Sequence, residues 1–197
     1  SYADTIRVTT NDSNLPQVRI PVALTVNSLP VLGQKIYTFS VNIHRANLDG
    51  SGASTPFTNV QRPVTGEVDE VNRKLYWIDW TPDSRIYRAD LNGLNQELLL
   101  SGLATPVTMV LDVPNNHMYF FGQVAGQVYR LSRADLDGQN LITIGDVPGW
   151  NFSGLSLDPV NRKLYWIHLG ANNDLAETGV FRSNLDLTNK EHLVTPS

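Results

Sequence analysis

The sequence predicts an all-β fold: an incomplete β-propeller of about three and a half four-stranded blades, with an N-terminal β-hairpin from a separate domain. Three observations carry this. Tyr76, Tyr119 and Tyr165 lie 43 and 46 residues apart, and Asp69, Asp112 and Asp158 each stand seven residues before their tyrosine. A second anchor, Arg-(Ala/Ser)-(Asp/Asn)-Leu-(Asp/Asn), starts at Arg45, Arg88, Arg133 and Arg182, at spacings of 43, 45 and 49. Two independent anchors keeping one period define a repeat, and roughly 40–45 residues is the length of a propeller blade. Finally, no stretch carries a sustained 3.6-residue apolar stripe, so little or no helix is expected.

In chain order, residues 1–27 read as two alternating strands around a polar turn. Ile6 and Val8 share one face, and Val18, Ile20, Val22, Leu24 and Val26 share another. That is the pattern of a half-buried hairpin. Residues 11–16, Asn-Asp-Ser-Asn-Leu-Pro, are strong turn chemistry. Residues 28–33 read as a linker. Residues 34–60 read as a partial blade that keeps its later strands. Three full units follow near 62–101, 105–145 and 151–195. In the first of these the strands are expected at 64–68, 74–79, 84–89 and 96–100, from runs of Val, Ile, Leu, Tyr and Trp between turn residues. Gly93 closes the last turn, where positive φ costs glycine nothing, and Gly50 and Gly138 stand at the same place. The last unit has Leu187 there, which predicts a turn of another type.

A single small sheet cannot bury both its faces, so neighbouring blades must cover it. Successive strand residues point to opposite faces. Tyr76 and Trp77 are therefore expected to fill the gaps on either side of their blade, as are Tyr119 with Phe120, and Tyr165 with Trp166. Asp69, Asp79, Asp112 and Asp158 are read as turn or inter-blade hydrogen-bond acceptors. Arg88, Arg133 and Arg182 are read as covering neighbouring side chains with their stems.

The chain has 197 residues, a formal charge of −4 and 17% charged residues. It lacks the basic footprint of a nucleic-acid binder. It has no apolar run long enough for a membrane-spanning helix. With no cysteine, disulfides, Cys-ligated metals and thiol nucleophiles are excluded.

The stretches KLYWID, KLYWIH, IYRADLNG and SRADLDG resemble the YWTD repeat of the low-density lipoprotein receptor family and its bacterial relatives, over roughly residues 34–195. The resemblance implies a β-propeller and a binding role outside the cytoplasm, either extracellular or in a bacterial cell envelope. The pattern departs in places. Ile78 replaces the threonine, the next unit reads Tyr119-Phe120-Phe121-Gly122, and His168 stands where the acid belongs. Only Asp79 keeps the carboxylate. The N-terminal hairpin resembles the last two strands of an immunoglobulin-like sandwich domain of the kind found in bacterial multidomain secreted proteins. An open stack of blades leaves faces uncovered, so the chain reads as part of a longer protein, with self-association through the open faces as the alternative.

In a propeller the loops from strand 2 to strand 3, and from strand 4 to the next strand 1, share one face. Binding groups concentrate on such loops. Trp80 and Trp150 are the aromatic candidates there, against the plainer reading that each packs under its own loop. The long segment 168–179 adds His168, Asn172 and Asp174. Asn11 and Asn151 open Asn-x-Ser sequons. No Gly-x-Ser-x-Gly, P-loop or His-Glu-x-x-His occurs. The reading is a binding module for a protein or glycan, without cofactor. The alternatives are a hydrolase or lyase using Ca²⁺ or Mg²⁺, for which only His168, Asp79 and Asp174 offer themselves, and a structural spacer.

Overall fold

A computed structural model describes the backbone of residues 2–7 and 19–24, and residues 35–170, 174 and 177–194, save the side chains of Trp150 and Ser153. The chain forms two compact units, Ser1–Lys35 and Ile36–Ser197. In the first, β1 (Tyr2–Arg7) pairs antiparallel with β2 (Arg19–Leu24), with Ile6 opposite Ile20. The expected turn at 11–16, and Val8, Val18 and Val26, lie outside the described residues.

The second unit is a row of antiparallel sheets in strict sequence order. A partial blade holds β3 (Lys35–Phe39) and β4 (Ile43–Asn47), extended by a lone bridge from Arg45 to Ser54. Blade 1 comprises β5 (Pro63–Asp69), β6 (Lys74–Asp79), β7 (Arg85–Asp90) and β8 (Glu97–Leu100). Blade 2 comprises β9 (Pro106–Asp112), β10 (His117–Ala125), β11 (Val128–Asp135) and β12 (Ile142–Pro148). Blade 3 comprises β13 (Trp150–Asp158), β14 (Lys163–Leu169), β15 (Gly179–Asn184) and β16 (Glu191–Val194). The first strand of blade 2 packs beside the first strands of blades 1 and 3. A 3-10 turn, Val113–Asn115, links β9 to β10. No helix among the described residues is long and apolar enough to cross a membrane.

The pleat separates the aromatic pairs as their spacing requires. Trp77, with Leu75, faces the partial blade and packs with Ile43 and Phe57. Tyr76, with Ile78, faces blade 2 and packs with Met109, Met118 and Phe120. Tyr119 and Phe121 then face blade 3, where Leu164, Trp166 and Phe181 meet them. Three aromatic layers thus hold four sheets, and each layer joins only neighbours. Tyr165 and Ile167 occupy the positions of Tyr76 and Ile78 on the outward face of blade 3, and Ile167 is 45% exposed.

The turns repeat as faithfully. Asp69 accepts from the Asn72 backbone (2.9 Å) and side chain (2.7 Å). Asp158 holds Asn161 in the same way, and Asp112 accepts from the Asn115 side chain at 2.8 Å. The residue after each such asparagine is left-handed: Arg73, Asn116 and Arg162 have φ of 58°, 58° and 55°. Local side-chain capping of this kind is what makes Asp and Asn turn residues.

One expectation is corrected. The turn at Leu187 is of the same type as its counterparts. Leu187 N–H donates to Asn184 (3.0 Å), as Gly93 N–H does to Asp90 (2.8 Å) and Gly138 N–H to Asp135 (2.9 Å). Leu187 takes φ of 64°, close to the 86° and 84° of those glycines. The reason lies in the preceding blade. A Cβ on Gly93 would stand 2.2 Å from the Pro56 carbonyl oxygen, and one on Gly138 would stand 2.6 Å from that of Leu99. Opposite Leu187 stands Gly145, and the leucine side chain fills the space its missing Cβ leaves. Burial against the third layer offsets the left-handed strain of order 1 kcal/mol.

Candidate functional site

The loop face of blade 1 is built from Asp79 outward. Asp79 ends β6 fully buried. Its carboxylate accepts from the backbone of Gln61 (2.9 Å) and Arg62 (2.5 Å), which fixes the segment entering β5. Arg62 then lies over the Trp80 ring at 5.2 Å. The Trp80 indole N–H donates to the Pro106 carbonyl at 2.5 Å, and the ring packs against the second aromatic layer. Trp80 therefore seals blade 1 to blade 2, and its exposed covering is the Arg62 guanidinium. Beside it, Arg85 donates to Asp83 (2.9 Å) and to the Tyr87 hydroxyl (3.1 Å). That hydrogen bond to Arg85 holds the Asp83 carboxyl below the usual range.

His168 takes the position of Asp79 in blade 3 but not its role. It lies inside β14 rather than on a loop, fully buried. Its ring stacks between Phe152 (4.7 Å) and Phe181 (4.3 Å). Tyr129 and His192 extend the column at either end, each 4.3 Å from its neighbour. The Trp166 indole, a donor only, gives its hydrogen to Nδ1 at 3.0 Å. The proton of the neutral ring is thereby assigned to Nε2, which is buried without a partner. Burial pushes the His168 pKa down to about 4. A neutral ring inside an aromatic column is a packing element, which corrects the expectation of a loop ligand. Gly149 makes the room, since a Cβ there would come within 2.6 Å of the imidazole.

Trp150 belongs to β13 rather than to a loop, and its side chain lies outside the described residues, as does Asn172. Asp174 is exposed, and its carbonyl accepts from the Thr178 hydroxyl at 2.9 Å. The structure thus does not gather the predicted residues into one cluster. Trp80 is on blade 1, and His168 and Asp174 are on blade 3.

Sequence reasoning missed Glu67. It sits on β5 and lines a groove with Val110 of β9 and Ser156 of β13. Those two occupy the same repeat position, two residues before Asp112 and Asp158. Apart from the aspartate that ends each, Glu67 is the one charged residue in the three first strands, a signal available from the repeat alignment. Burial raises its pKa to about 7 from 4.5. Between these values the unfolded chain ionises and the folded one stays protonated, so stability falls as pH rises from about 4.5 to about 7. Glu67→Gln is expected to remove that slope and to stabilise the protein at pH 8 by on the order of 1–2 kcal/mol. Urea unfolding at pH 5 and pH 8 measures it.

Residues 73–115 match the low-density lipoprotein receptor repeat class B. The class B match runs from the Arg73 turn of blade 1 through the Val113–Asn115 turn of blade 2. It therefore covers Tyr76, Trp77, Asp79 and Arg88. A chain from the crystal structure of a nidogen/laminin complex superposes with a TM-score of 0.69 at 21% identity, over 81% of this chain and 60% of that one. TolB from Acinetobacter baumannii gives 0.64 at 14% identity, over 82% and 41%. An oligogalacturonate lyase in complex with manganese gives 0.58 at 18% identity, over 79% and 46%. At such identities the likeness is one of fold. The chain spans less than two thirds of the length of each. No curated protein matches the sequence.

Proposed function

We propose that this chain is an interaction module on a β-propeller scaffold, working outside the cytoplasm and taking a protein or glycan on the Trp80 face. The hairpin before it is read as the end of an immunoglobulin-like domain of the same secreted protein. The observation that carries the reading is the Arg62 guanidinium held over the Trp80 ring on that face, with Arg85 fixed on the same blade by the Tyr87 hydroxyl. Arg, Trp and Tyr are the residues that dominate binding energies. Here Asp79, Pro106 and Asp83 hold them in place, so little ordering cost remains on binding. The acids of this face are already engaged by backbone and arginine, which favours recognition over proton transfer. The match to a low-density lipoprotein receptor repeat, and the fold shared with a chain of a nidogen/laminin complex, support the reading.

Ligands selected from displayed peptides and from a glycan array on the wild-type protein test this. Arg62→Ala is expected to weaken them at least about tenfold while leaving unfolding unchanged, because Arg62 is exposed. Trp80→Ala is less informative, since that ring also seals two blades. Ligands indifferent to Arg62→Ala would move the site elsewhere.

A further inference from the structure

The repeat sets a rule for its arginines that one of them breaks. Arg88 faces Glu97 across the outer strand pair, and Arg182 faces Glu191 in the same register. Both pairs are closed, at 2.7 Å and 2.5 Å. Each arginine also lies over its own blade's tyrosine, at 5.8 Å from Tyr76 and 5.9 Å from Tyr165. In blade 2 the residue facing Arg133 is Ile142. Arg133 has lost its glutamate, and among the described residues it makes no ion pair. Its Nε is buried without a partner, as is that of Arg182, so the difference between the two lies in the missing glutamate. The latch to the next blade is missing as well. Arg45 donates to the Leu91 carbonyl and Arg88 to that of Leu136, at 3.0 Å and 2.9 Å, whereas no such bond joins Arg133 to Leu185.

Where that latch would close, blades 2 and 3 part in a groove of about 430 Å³. Its position is opposite the Trp80 face, beside the strand 1–2 and strand 3–4 turns. Arg133 and Ile142 line it, with His117, Leu185 and Arg162. His117 Nδ1 is a second buried atom without a partner. We propose that this groove binds the carboxylate of an acidic side chain on a protein partner, seated beside an aliphatic residue of the same segment.

The charges lining the groove select one carboxylate rather than a dense anion. Arg162 from blade 3 is already held by Asp112 at 2.6 Å. Asp186, also lining the groove, keeps its charge through hydrogen bonds from Thr188 at 3.0 Å and 2.6 Å. One guanidinium is left to be matched, and its fork fits a carboxylate. A sulfated glycan or a polyphosphate would meet Asp186 at once. The floor is aliphatic: Ile142 is 43% exposed, and Tyr119, the groove's aromatic, is buried. That suits Leu, Ile or Val beside the acid and gives a sugar ring no platform.

The test supplies the missing glutamate. Ile142→Glu places the residue of blades 1 and 3 at an exposed position, so the fold is kept and Arg133 is satisfied internally. The probes are the peptides acetyl-Leu-Glu-Leu-amide and acetyl-Leu-Gln-Leu-amide, titrated to about 10 mM into the full chain, beyond the millimolar affinity that one charged contact supports. NMR follows the Arg133 Nε–H and the His117 ring. The glutamate peptide is expected to shift both in the wild type, to act at least about tenfold more weakly on Ile142→Glu and on Arg133→Met, and to outbind its glutamine analogue. No shift at Arg133, equal response to the two peptides, or undiminished binding by Ile142→Glu would overturn the proposal. So would a heparin oligosaccharide that binds more tightly than the peptide and is lost with Ile142→Glu. Arg62→Ala should leave the peptide response unchanged, which separates this groove from the Trp80 face.

Discussion

Trp166→Ala is expected to destabilise the protein by about 3–5 kcal/mol, the range for removing a fully buried tryptophan. Trp166 is fully buried. It fills the third layer, 5.7 Å from Phe121 and 6.0 Å from Phe181. Its loss opens a cavity the width of an indole between two rigid sheets. It also takes away the hydrogen bond to His168 Nδ1, leaving that ring with neither nitrogen partnered. Trp166→Phe keeps most of the volume and should recover more than half of the loss. Denaturant melts of the two variants separate the cavity from the hydrogen bond.

The second large effect is at a glycine. Gly138→Val is expected to cost about 2–5 kcal/mol, from left-handed strain on a β-branched residue and overpacking together. Gly138 has φ of 84°, and a Cβ there would lie 2.6 Å from the Leu99 carbonyl oxygen and 3.0 Å from its carbon. Both atoms are backbone of blade 1, so relief requires the blades to separate. The same change at residue 187, Leu187→Val, should cost far less, because Gly145 leaves space opposite. Thermal unfolding of the pair shows whether inter-blade approach, rather than turn type, sets the glycine requirement.

The architecture was legible because it is periodic. Tyr76 and Trp77, one residue apart, specify two faces, and the returns at Tyr119 and Tyr165 specify neighbours to cover them. The hydrogen-bonding turns followed from Asp69 and Asp90 for the same reason. What was not legible depends on pairs far apart in the chain. Leu187 is tolerated because of Gly145. His168 is a packing ring because Phe152, Phe181 and Gly149 enclose it. Trp80 reads as a loop aromatic until the Pro106 carbonyl appears beside it. The unmatched Arg133 becomes visible only when register shows Ile142 at the place of Glu97 and Glu191. Glu67 is a different case: the repeat alignment carried its signal, which sequence reasoning missed, and its burial needed the fold.

The central claim is that separate aromatic layers, each joining two neighbouring blades, hold this chain together. Amide hydrogen exchange of the wild type and Trp166→Ala, compared strand by strand, tests it most directly. The account predicts that protection falls in β13–β16 and in β10–β11, where the third layer is damaged, while β5–β8 keeps its wild-type protection through the first two layers. An equal loss of protection across β5–β8 would contradict it and would mean that one shared core, not a row of layers, carries the fold.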